Sequence, residues 1–123
     1  MESNTHISFY LTYSRIHVFV DTLREIGSPG RICFLIDKSG TRLVIIPYSK
    51  KDFISHGVDA KVYRGNGRME VCSKPLCNVL AGMHHWDRSF SYRIPGIVSK
   101  EKKIATFDLS KAERIERDTA LTS

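Results

Sequence analysis

The chain has 123 residues, 41% hydrophobic and 26% charged, a composition that suits one compact globular domain, 1–123, and excludes a disordered tail. Lys and Arg number 19 against 13 Asp and Glu, so the formal charge is +6 and the pI about 9.4, which favours contact with a polyanion. No apolar run approaches the ~18 residues of a membrane span, and the start MESNTHISFYL lacks a basic region followed by an apolar one, so a cytoplasmic protein without membrane contact is expected.

The basic excess is spread along the chain. Residues 1–56 hold seven Lys/Arg against five Asp/Glu, and 57–123 hold twelve against eight, which fits a charged face on a folded body. Three cysteines, an odd count, argue against a disulfide framework.

In chain order, HISFYLTY and RIHVFV alternate apolar and polar residues around Ser14, the pattern of a hairpin. Asp21 to Gly27 reads as a short helix, with Asp21 as its cap and Gly27 as its end. RICFLID and RLVIIP then flank the turn Lys38-Ser39-Gly40-Thr41 as a second hairpin. After a connector, 48–59, the order begins again. AKVYRG, the turn Gly65-Asn66-Gly67 and RMEVC predict another hairpin. Ser73 and Pro75 suit the start of a helix whose apolar stripe is Leu76, Val79 and Leu80. Ser91–Ile94 and Lys103–Leu109 form the last strand pair, and Ser110-x-x-Glu113 has capping-box spacing for a short helix reaching about Arg117.

These elements repeat. Ile7–Leu23 aligns with Ala60–Leu76 without a gap, placing Tyr10 on Tyr63, Arg15 on Arg68, Val18 on Val71 and Leu23 on Leu76. The predicted fold is therefore α+β and mainly β: unit 1 at 7–47 and unit 2 at 60–109, each β-β-α-β-β, with a C-terminal helix and tail at 110–123. Unit 2 differs by an insertion of about seven residues within Ala81–Phe90, AGMHHWDRSF, and insertions in surface connections often carry function.

Arg15, Leu23, Arg24, Glu25, Gly27, Leu43, Ile45 and Pro47 of SRIHVFVDTLREIGSPGRICFLIDKSGTRLVIIP give unit 1 a resemblance to the SpoVT/AbrB-type swapped-hairpin domain of bacterial transition-state regulators and antitoxins. Two copies in one chain resemble MraZ-like proteins, which implies that the tandem units pack as an intrachain pseudo-dimer, each covering the apolar face of its twin. SRIHV, SYRIPG and the SKPL stretch are also similar to small uncharacterised proteins of bacterial mobile elements. The resemblance implies a duplex-DNA-binding transcriptional regulator or antitoxin-like factor, monomeric or homodimeric. Carried over by position, the phosphate contacts it implies are Arg15 and Arg24, with Arg68 aligned to Arg15 and Lys74 near the second helix; Lys61 and Arg64 extend the same face.

A second functional class is a module that inhibits or adapts a partner enzyme or nucleoprotein. His84, His85, Trp86 and Arg88 in the insertion are its candidate contacts, since Trp and Arg dominate interface hot spots; an inward-folded Trp86 is the structural alternative. Cys72, Cys77, His84 and His85 are a conceivable zinc set, although their spacing matches no standard motif and no cofactor is expected. The chain has no GxSxG, HExxH, phosphate-binding or dinucleotide-binding signature, so an enzyme is not expected.

Overall fold

A computed structural model describes residues 2–52 and 54–115. Nine strands form one antiparallel sheet: β1 (Glu2–Tyr10), β2 (Arg15–Phe19), β3 (Arg31–Ile36), β4 (Arg42–Pro47), β5 (Ser55–Gly57), β6 (Arg68–Cys72), β7 (Ser91–Ser99), β8 (Ile104–Asp108) and β9 (Glu113–Ile115). Two helices, α1 (Val20–Glu25) and α2 (Lys74–His84), follow β2 and β6. The strand order is β5-β3-β4-β8-β7-β1-β2-β6, with β9 beside β7. The molecule is mainly β, and the sheet curls nearly into a barrel around one core.

Alternation decides which residues reach that core. Ile7 and Phe9, Ile16 and Val18, Met69 and Val71, and Tyr92 and Ile94 point inward, and of the residues that alternate with them only Ser8 is also buried. Phe9, Phe107, Leu23, Ile32, Leu43 and Leu80 are fully buried and draw β1, β8, α1, β3, β4 and α2 into one cluster.

β7 organises the sheet. One edge pairs with β1 along its whole length, from Glu2 with Ser99 to Tyr10 with Ser91. Its other edge is divided between β8 at Gly96–Ser99 and β9 at Ser91–Arg93. At the division only glycine fits, because a Cβ on Gly96 would strike the Phe107 ring and lie 2.7 Å from the Thr106 carbonyl oxygen.

Local signals account for the helices in part. Ser73 caps α2, its hydroxyl accepting from the Leu76 N–H at 3.3 Å, and Pro75 lies in the first turn. Asp21 does not cap α1. The cap position is Phe19, which makes no side-chain bond there, and Asp21 lies in the first turn, where its charge suits the helix dipole. Ile26 follows α1, and Gly27, at φ +103°, turns the chain away.

Unit 2 departs from expectation at both ends. Ala60–Arg64 is a 3-10 helix and not a strand: Asp59 accepts from the Lys61 N–H at 2.9 Å, and the Tyr63 hydroxyl donates to the Pro29 carbonyl at 2.6 Å. Neither Gly65 nor Gly67 has positive φ, so no tight hairpin forms there. The strand before that 3-10 helix is β5, which lies inside the expected connector and pairs with β3. Ser110 and Glu113 form no capping box. Leu109–Lys111 is a 3-10 turn held by Asp108, and β9 follows; the remainder of the expected helix lies outside the described residues.

Candidate nucleic-acid interface

β2 and β6 form a two-stranded ribbon at the end of the sheet, registered Ile16 to Val71, His17 to Glu70 and Val18 to Met69. Two backbone bonds extend it symmetrically: Ser73 N–H to the Ser14 carbonyl (3.0 Å) and Val20 N–H to the Gly67 carbonyl (3.1 Å). Because the apolar residues point inward, the outer face presents Arg15, His17 and Phe19 beside Cys72, Glu70 and Arg68.

At the centre of this face Glu70 accepts from the Arg15 guanidinium at 2.6 Å and meets His17 Nε2 at 2.9 Å. The His17 hydrogen bond, and then the Arg15 charge, hold the Glu70 carboxyl below its ordinary range. His17 Nδ1 is buried and has no hydrogen-bond partner among the described residues. With that nitrogen closed and the other on Glu70, the imidazole positions a carboxylate instead of offering a free base.

Toward one end of the ribbon the Tyr10 ring lies 4.5 Å from His17, and Tyr10, Tyr13, Arg15, His17 and Glu70 line an open cleft of about 390 Å³. Toward the other, the His6 ring meets Phe19 edge-on at 4.6 Å, Arg68 stands opposite Phe19 in the ladder, and the 3-10 helix bearing Lys61 and Arg64 leads in.

The basic residues singled out from the sequence therefore divide. Lys61, Arg64, Arg68 and Lys74 are exposed and form no ion pair among the described residues. Arg15 is half exposed and shares Glu70. Arg24 belongs elsewhere. It donates to the carbonyls of Tyr63 (2.9 Å) and Gly65 (2.6 Å) and to Asp21 (3.0 Å), fastening α1 to the segment before β6.

The insertion is not an exposed aromatic loop. Trp86 is 9% exposed, stacks on Tyr92 at 4.9 Å and 13°, and lies 5.7 Å from Phe9, so it closes the core. His84 Nε2 is bonded to the Gly40 carbonyl at 2.8 Å, Arg88 is bonded to Asn78, and His85 is exposed in the left-handed cap of α2. The zinc set does not assemble. Cys72 is exposed on the outer face of β6, Cys77 is buried on α2 with its thiol pushed up to about 11 by burial, and among the described residues no three potential ligands converge.

A larger groove of about 510 Å³ crosses β7 and β8, with Arg42, Lys102, Lys111, Glu2 and Asp108 on its walls. Its charges are mixed. Asp108, held low by the Ser110 hydroxyl and further by Lys111 and Arg42, sits among the groove's own cations. The ribbon, in contrast, carries several unpaired cations on one strand pair and its approach.

Tyr10, Tyr13, His17 and Glu70 are not among the contact residues expected from the sequence. One signal for two of them exists: the gapless alignment places His17 on Glu70, the two residues that face each other in the ladder. No helix among the described residues is long and apolar enough to cross a membrane. Comparison of the chain with protein-family models, with curated proteins and with solved structures gives no match in any of the three.

Proposed function

We propose that this chain binds duplex nucleic acid through the outer face of the β2–β6 ribbon, as a transcriptional regulator or antitoxin-like factor. The observation that carries the reading is the set of exposed cations Arg15, Lys61, Arg64, Arg68 and Lys74, carried on this ribbon and on the segments that lead into and out of it. β6 is the edge strand of the sheet and β2 is paired with β1 behind it, so the strand pair meets a duplex with its outer face, where Arg15 and Arg68 can neutralise phosphates. Arg15 and Arg68 stand four positions apart in the ladder, roughly 13 Å at ~3.3 Å per residue, so they reach different phosphates.

The ribbon also supports two units acting as an intrachain pseudo-dimer of swapped-hairpin type. Exchanging β1 with β5, β2 with β6, β3 with β7 and β4 with β8 turns the stretch β5-β3-β4-β8-β7-β1 into its own reverse and the β2–β6 pair into itself, while the β1–β2 pair has no β5–β6 counterpart among the described residues. The same exchange converts the Ser73-to-Ser14 bond into the Val20-to-Gly67 bond and puts the local axis between His17 and Glu70. Each candidate first strand, β1 and β5, leads through a 3-10 helix into the ribbon.

Backbone neutralisation makes affinity depend on salt, with a log–log slope of about −0.9 per phosphate contacted, so four or five contacts give a slope of about −4. In fluorescence anisotropy with a labelled duplex, Arg64→Glu/Arg68→Glu is expected to weaken binding at least tenfold and flatten the slope by about two. Arg42→Glu, which lies in the other groove, is the control. Unchanged binding in the double variant, or equal loss in the control, removes the ribbon as the interface; an absence of any preferred site removes the regulatory role.

A further inference from the structure

The two ends of the ribbon are chemically unlike. The end reached through Lys61 and Arg64 sets Arg68 opposite Phe19, whose ring is already met edge-on by His6, whereas the other joins an Arg to two tyrosines in a concavity. Tyr13 is 72% exposed, the most exposed of the large apolar side chains among the described residues, and sits in a 3-10 turn ended by Ser14 in the left-handed region. An aromatic ring left in water without a packing partner is available for stacking, and stacking tolerates any base because each has a π-face. Arg15 engages only one guanidinium nitrogen, with Glu70, among the described residues, so its remaining N–H groups are free for an oxyanion. His17 holds Glu70 from the other side.

We propose that this cleft takes one unpaired nucleotide, its base stacked on Tyr13 and its phosphate held by Arg15. This deepens the nucleic-acid reading and rests on it: the ribbon grips a backbone, and the cleft recognises a strand end or an extruded base next to it.

The test compares a blunt labelled duplex, the same duplex with a three-thymidine tail, and tetrathymidylate alone, each titrated with the full chain. The tail is expected to tighten binding about tenfold, within the range that stacking one base supplies. Tyr13→Ala is expected to abolish that gain while leaving blunt-duplex affinity and thermal stability unchanged, and Tyr13→Trp to preserve it. A tail without effect, or a gain that survives Tyr13→Ala, overturns the proposal. Tyr13-dependent binding of tetrathymidylate with no binding of blunt duplex supports the cleft and removes the duplex reading; no binding of any probe overturns both.

Discussion

Arg24 supplies the sharpest test of how the basic residues divide. Its guanidinium donates to two backbone carbonyls, Tyr63 and Gly65, which belong to the segment between the 3-10 helix and β6. A hydrogen bond from a charged donor contributes about 1.5–3 kcal/mol where it is sheltered. Arg24 is about a third exposed and Asp21 almost fully so, which places the pair of carbonyl bonds near the lower end, about 1–3 kcal/mol in all, and the ion pair near zero. For a chain of this size each kcal/mol corresponds to roughly 3–6 °C in melting temperature. Arg24→Ala is therefore expected to lower Tm by about 3–18 °C at neutral pH, measured by calorimetry. Arg24→Lys, which keeps the charge but loses the planar fork, should fall nearly as far. Neither variant should alter the salt slope of duplex binding once the protein is folded. If Arg24→Ala leaves Tm unchanged and flattens that slope by about one, the side chain contacts phosphate and the fastening role is wrong.

Trp86→Ala removes a ring stacked inside the core and is expected to cost about 3–5 kcal/mol in chemical denaturation, with Trp86→Phe clearly milder; a stable Trp86→Ala protein would contradict the buried placement. Gly96→Ala forces a Cβ against the backbone of Thr106 and should destabilise by at least 1–3 kcal/mol in the same assay, whereas Gly67→Ala, with open space around it, should be close to neutral. Burial, with Arg93 and Arg31 respectively adding to it, holds His6 and His56 below the ordinary value of 6.5. Below that value the unfolded chain takes up these protons first, so stability is full above pH 6.5 and declines as pH falls; His6→Asn/His56→Asn should flatten the melting-temperature profile between pH 7.5 and 5. The depressed Glu70 carboxyl adds a further loss only at pH values below about 4.5, its ordinary value.

How much of this was legible depends on whether local chemistry or tertiary contact decided the outcome. The strands β2 and β6 could be read because RIHVF and RMEVC each alternate, and α2 because Ser73 and Pro75 announce it, but the sequence predicts RMEVC paired with AKVYRG, so the β2–β6 pairing itself emerges only in the fold. AKVYR misleads for a physical reason: Val62 and Tyr63 resemble strand residues, yet Asp59 closes a 3-10 turn and the Tyr63 hydroxyl is drawn to Pro29, so the strand that serves this position is the unremarkable Ser55–Gly57. In the candidate site, Arg15 and Arg68 followed from the alignment, but the fate of Arg24 depended on two carbonyls forty residues away in the chain, give or take. The cleft was invisible for the same reason, since Glu70 meets Arg15 and His17 only across the ladder.

The pairing of β1 with β7 has a consequence for how the chain acquires its structure. Glu2–Tyr10 leaves the ribosome well before the strand that covers its edge, Ser91–Ser99. Until that partner is synthesised, the β1–β2 hairpin presents an unpaired edge and the apolar faces of Ile7 and Phe9 to the surroundings. Contacts this distant in sequence are slow to form, because the intervening chain must be ordered before they are rewarded. Assembly is thus committed late, and a chain interrupted before β7 is an aggregation-prone intermediate that carries the ribbon's first strand without the frame to hold it.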